Sequence, residues 1–130
     1  MTSTAAQLAR TPYDMIGGAG PIREIVDRFY DLMDADPAYA ELRALHAPDL
    51  SPMRASLSDF LAAWMGGPRD WFEERPGKCL MSVHKGVTIT PETARQWAEA
   101  MRRAIEGSSV DPGFGAKFAG ALGDLALRMG

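Results

Sequence analysis

This sequence of 130 residues has one cysteine, Cys79, and two histidines, His46 and His84. A single cysteine excludes an intrachain disulfide and any multi-cysteine metal cage, and it fits a reducing compartment. A surplus of positive charge is also missing. Lys and Arg number 14 against 17 Asp and Glu, for a formal net charge of -3, so no overall field draws nucleic acid or an anionic membrane. No apolar run approaches the length needed to span a bilayer. The opening MTSTAAQLAR lacks both a basic start and an apolar stretch long enough for a secretion signal, and a cytoplasmic location is expected. No internal repeat is present. The length suits one domain with a real core and is short for two. Residues 1–12 read as a flexible lead-in and 13–130 as the domain.

What is present is helical periodicity. In GPIREIVDRFYDLM, apolar residues fall at Ile22, Ile25, Val26, Phe29, Leu32 and Met33, with Pro21 in the first turn; that spacing predicts a helix with one buried face. Ser51 reads as the N-cap of a second helix, with Pro52 behind it and a stripe of Met53, Leu57, Phe60, Leu61, Trp64 and Met65. Gly66, Gly67 and Pro68 stop it. Thr90 and Pro91 open a third helix, striped by Ala94, Trp97, Met101, Ala104 and Ile105. Asp111 and Pro112 open a fourth, striped by Phe114, Phe118, Leu122, Leu125 and Met129. Gly113, Gly115, Gly120 and Gly123 weaken its intrinsic propensity, so packing must hold it. A short helix is expected around Ala38 to Leu45, after Pro37. GVTIT has β character and no second strand to pair with. The expected class is all-α.

Arg69 to Ile89 is the exception, an irregular stretch with at most a turn or two of helix. Connections longer than about a dozen residues without their own structure are usually functional or disordered. This one carries Trp71, Phe72, Leu80, Met81, Val83 and Val87, too apolar to remain solvated. Either the helices close around these side chains or a large apolar ligand fills the space. Leu80, Met81 and His84 share a face if a helical turn forms there. A lone histidine on an apolar face is ordinarily a hydrogen-bonded core residue. Beside a flat pocket, it is how a protein supplies an axial ligand to haem iron.

PYDMIGG, IVDRFYDLM, LRALHAPDL, FLAAWMGGP, VH and QWAEAMRRAI follow one another in the chain. In that order and spacing they resemble the truncated haemoglobins, and among them the second group, the O-type. The likeness runs from about Tyr13 to Met129. It implies a two-over-two helical sandwich enclosing haem (iron protoporphyrin IX). His84 matches the proximal histidine that binds the iron, which favours the ligand role over the core one. Tyr30 matches the distal tyrosine, although it also reads as a boundary residue of its helix. His46 falls at the corner where the family places an aromatic residue or histidine. Trp97 matches the tryptophan that marks this group, and its alternative is a core tryptophan. Met53 and Leu57 match distal-helix positions facing haem, with Phe60, Leu61 and Trp64 continuing the wall, and Leu80, Met81 and Val87 are further candidates to bind the cofactor.

The sequence departs from the resemblance just before His84. Relatives carry arginines there, some of which pair with the haem propionates, whereas this chain reads KCLMSVH. Val83 has no charge to offer. Arg75, Lys78 and Lys85 are the nearby cations, and each also reads as an ordinary solvated charge. Cys79 reads as a small buried residue more readily than as a redox thiol.

Three functions stay open. The first is a globin binding dioxygen and other diatomic ligands at five-coordinate iron, with Tyr30, His46 and Trp97 as distal donors. The second is peroxidase-like or nitric-oxide-oxidising turnover on the same haem, served by an unidentified reductase, with His46 as the distal side chain whose ordinary pKa lies near neutrality. The third is a haem-free helical sensory or interaction domain.

Overall fold

The computed structural model describes residues 11–74 and 89–129. Helices α1 (Pro12–Ile16), α2 (Ala19–Ala35), α3 (Ala40–Ala44), α4 (Ser51–Trp64), α5 (Asp70–Glu74), α6 (Pro91–Glu106) and α7 (Pro112–Met129) follow in order, with a 3-10 turn at Pro37–Tyr39 before α3. No strand occurs among the described residues, as expected for an all-α chain.

The caps follow from short polar side chains beside proline. Thr90 opens α6 as expected: its hydroxyl accepts the Thr93 N–H at 3.1 Å while the Thr93 hydroxyl accepts the Thr90 N–H at 3.0 Å, with Pro91 in the first turn. The Asp111 carboxylate accepts the Phe114 N–H at 2.9 Å and starts α7. Ser51 corrects the expectation. The N-cap of α4 is Leu50, which makes no side-chain cap bond, because Asp49 reaches forward two residues and accepts the Ser51 N–H at 3.0 Å. Helix α1 has the same reciprocal cap at Thr11 and Asp14, a T-x-x-D signature that the reading from periodicity passed over.

Two glycine pairs bring the ends of this frame together. Gly17 ends α1 at φ 105, a left-handed conformation that glycine adopts without a Cβ clash. At the far end of α4, a Cβ on Gly67 would lie 2.5 Å from Tyr13 Cδ1. The absent side chain lets the Tyr13 ring seat against that corner, while the Tyr13 N–H donates to the Met65 carbonyl at 3.0 Å. PYDMIGG and WMGGP, far apart in sequence, are thus one contact.

The core is built on α2. Ile22, Ile25, Val26, Phe29 and Met33 are each at most 1% exposed and pack toward both α4 and α6, while α7 lies along α6. Pairs α2/α4 and α6/α7 therefore form the two layers of a two-over-two sandwich. Arg54 on α4 ties the first pair together, donating to Asp31 at 2.8 Å and Asp27 at 3.2 Å on α2. In the second pair, a Cβ on Gly115 would lie 3.0 Å from Ile105 Cγ2 and one on Gly123 3.7 Å from Ala98 Cβ. Those two glycines face α6, and close packing offsets their poor helix propensity. Trp71 and Phe72 find their receiver in Phe60, with ring centroids at 5.1 and 6.2 Å, and Trp71 Nε1–H donates to Ser56 at 3.2 Å.

Candidate functional site

Helices α2 and α6 and the corner after α3 bring Trp97, Phe29, Tyr30 and His46 into a row of ring contacts. Phe29 lies edge-on to Tyr30 at 4.9 Å and to Trp97 at 5.2 Å, and Tyr30 lies edge-on to His46 at 6.0 Å. Tyr30 is 2% exposed, and the Arg54 guanidinium stands 5.8 Å from its ring centroid. Burial pushes the Tyr30 phenol above its ordinary range, while the Arg54 charge pulls the other way. The phenol is therefore a neutral O–H donor at physiological pH.

Tyr30 and Trp97 each hold a polar hydrogen that the described residues do not use. Neither the Tyr30 hydroxyl nor the Trp97 indole N–H has a hydrogen-bond partner there, yet among the described residues no fully buried side-chain nitrogen or oxygen is left unsatisfied. Both groups therefore still reach accessible space, and they fit a bound ligand with a polarised acceptor.

His46 is held differently. Its Nδ1 lies 2.9 Å from the Leu42 carbonyl oxygen, and a carbonyl only accepts, so Nδ1 carries the proton. The neutral ring has one N–H and gives it to Leu42, so His46, one of the three donors expected from the sequence, has no further N–H to offer while it is neutral. Arg43 clamps the same corner, donating to the Ala47 and Pro48 carbonyls at 3.0 and 2.9 Å and to Asp34 at 2.9 Å.

The proposed wall divides by depth. Leu61 is 1% and Phe60 6% exposed, while Met53 and Trp64 remain 37% and 39% exposed. Leu57 is half-buried against the core, and Trp64 leans toward Phe118 at 6.3 Å. Arg75, Lys78, Leu80, Met81, Val83, His84 and Val87 lie outside the described residues. Two surface clefts, about 270 Å³ beside Tyr13 and Ser58 and about 820 Å³ between the outer faces of α6 and α7, include none of Tyr30, His46 and Trp97.

Phe29, Leu42 and Gln96 belong to the cluster and escaped the sequence reading. Gln96 had a signal: it stands three residues after Thr93 and four before Ala100, a buried helical position filled by a polar side chain.

A two-layer helical sandwich with an aromatic donor cluster at its corner has the architecture of a truncated globin. Residues 11–129 match the bacterial-like globin family, and the chain belongs to that family. It is 29% identical over 100 residues, 77% of this chain and 73% of the relative, to the group 2 truncated hemoglobin YjbI of Bacillus subtilis (strain 168). The group II 2-on-2 hemoglobin of Agrobacterium tumefaciens superposes with a TM-score of 0.86 at 31% identity, covering 93% of this chain and 94% of that one. A truncated oxygen-avid haemoglobin from Bacillus subtilis gives a TM-score of 0.82 at 27% identity, covering 92% and 98%. Membership in a globin family implies haem as the cofactor.

Proposed function

We propose that this globin carries haem (iron protoporphyrin IX) on His84 and retains dioxygen, or another diatomic ligand, with hydrogen bonds from Tyr30 and Trp97. The observation that supports the reading is the pair of donors flanking Phe29 that no described residue takes up, while no fully buried side-chain nitrogen or oxygen among the described residues lacks a partner. Haem supplies the iron to which a diatomic ligand binds, with electron density shifted onto the ligand. Around it the chain's own groups act by position. The Tyr30 hydroxyl and the Trp97 indole offer positive hydrogen ends where negative charge accumulates, and a site walled by Phe29, Phe60 and Leu61 keeps competing water low. The oxygen-avid relative from Bacillus subtilis supports slow ligand release over rapid delivery.

Two experiments test this. The visible spectrum of protein purified with haem available separates a globin from a haem-free interaction domain. His84→Ala should abolish the normal ferrous spectrum, and an unchanged spectrum would remove His84 from the iron. Stopped-flow measurement of dioxygen release and of reaction with peroxide, on one sample, then separates ligand retention from peroxidase-like or nitric-oxide-oxidising turnover.

A further inference from the structure

Helix α3 has five residues, too few to be stable alone, yet its C-terminal corner presents His46. Its amide and carbonyl ends need partners from elsewhere, and at Leu42 both are identified. The Leu42 N–H donates to Gln96 Oε1 at 3.1 Å, and the Leu42 carbonyl accepts from His46 Nδ1 at 2.9 Å. Gln96 is 3% exposed, and its Nε2 donates to the Glu92 carboxylate at 3.2 Å. A backbone N–H only donates and a carboxylate only accepts, so the orientation of the Gln96 amide is fixed. Glu92 is held in turn by Arg95.

We infer that Gln96 is a positioning residue for the distal site, fixing His46 through the backbone of Leu42. Consecutive residues of α6 then set two members of the cluster: Trp97 packs directly on Phe29, and Gln96 places His46 against Tyr30 through α3. Arg43 clamps the loop beyond His46, and Gln96 anchors the turn before it. The distance between the indole and the imidazole is thus indexed to one helix and does not depend on how α2 and α6 settle against each other.

The inference rests on the ligand-binding function proposed above, with His46 acting through its packing against Tyr30 and not as a donor, and the test separates the two. The carbon monoxide complex of the ferrous holoprotein reports distal polarity through its C–O stretching frequency, and dioxygen release is measured alongside. Gln96→Leu removes the acceptor at similar volume. It should shift the C–O band in the same direction as His46→Leu and change dioxygen release by ~3- to 10-fold, about the effect of losing one ordinary hydrogen bond. The double variant should match His46→Leu alone, because residues that act through one another do not add. Gln96→Glu combined with Glu92→Gln keeps an oxygen for the Leu42 N–H without setting two carboxylates against each other, and should restore the parent band.

If His46→Leu shifts the band and Gln96→Leu leaves it in place, Gln96 is only a structural residue and the inference is overturned, whatever the melting temperature does. Additive effects in the double variant overturn it as well. A silent His46→Leu removes His46 from the distal site and this inference with it. Should Gln96→Leu fail to fold, Gln96→Asn, whose amide falls one methylene short of Leu42, takes its place with the same expected shift.

Discussion

Trp97 and Tyr30 differ in how much freedom their surroundings leave them. Phe29 meets both rings edge-on, but Tyr30 is additionally wedged against His46 and beneath Arg54. The half-buried indole is therefore the donor whose loss is least easily covered. Trp97→Phe keeps an aromatic surface on Phe29 and deletes the N–H. A hydrogen bond to a strongly polarised acceptor is worth about 1.5–3 kcal/mol, so dioxygen release should accelerate about ten- to a hundredfold in stopped flow. Release at the parent rate would make the indole a packing residue. Tyr30→Phe should give a smaller change, because neighbouring donors can reorient. Burial raises the Tyr30 phenol, and a group raised in this way keeps its proton through the ordinary tyrosine range near pH 10. The effect of Tyr30→Phe on release should accordingly stay constant from neutral pH up to that range, and a difference that fades on the alkaline approach would show an ionising phenol. That Tyr30, His46 and Trp97 lie in one cluster was legible only through the family's spacing. Phe29 and Gln96 were not, because a phenylalanine in an apolar stripe looks like any other core residue. A glutamine discloses its role only when the carbonyl or N–H it meets is known.

At the scale of elements, the sequence patterns carried most of the fold, the short α3 and α5 included, and missed one short helix, α1. Helices α2, α4, α6 and α7 each span at least 14 residues, enough turns for an apolar stripe to stand out. Helix α1, five residues long, has no room for a stripe and shows only in its cap. The cap of α4 was misplaced by one residue because Asp49 and Ser51 both have capping side chains, and the sequence does not say which one bonds. The glycines of α7 looked uniformly unfavourable and prove to be of two kinds. Gly115 and Gly123 face α6, whereas a Cβ on Gly120 would meet nothing within 4 Å. Gly120→Ala should therefore stabilise the chain by about 0.5–1 kcal/mol, a rise of about 2–5 °C in melting temperature for a domain of this size. Gly67→Ala should do the opposite, since its methyl would overlap the Tyr13 ring and lift α1 off the end of α4, at a cost of about 1–3 kcal/mol. Thermal melts followed by circular dichroism check both, and equal shifts for the two variants would refute the distinction.

For the molecule as a whole, the question is what holds the cofactor where the resemblance expects arginines and the sequence has Val83. An ion pair between solvent-exposed groups is worth about 0–1 kcal/mol and weakens with salt. Burying one large apolar side chain is worth about 1.5–3 kcal/mol. By that comparison haem retention should rest on the apolar wall, and Phe60 is its best-connected member: 6% exposed, edge-on to Trp71 and tilted toward Phe72. It joins α4 to α5, from which the chain runs on to His84. Phe60→Ala should therefore speed haem transfer to an excess of apomyoglobin strongly, and Lys78→Ala only slightly, with little dependence on salt in the parent. Phe60→Ala also opens a cavity in the core, costing about 3–5 kcal/mol, so stability has to be separated from retention. Because a ligand bound only by the folded state stabilises it in proportion to its affinity, the gap in melting temperature between haem-loaded and haem-free protein isolates the binding part. That gap should narrow in Phe60→Ala and stay near the parent value in Lys78→Ala. The reverse order, or a haem loss rate that climbs steeply with salt, would place the anchoring on the lysines and overturn the apolar account.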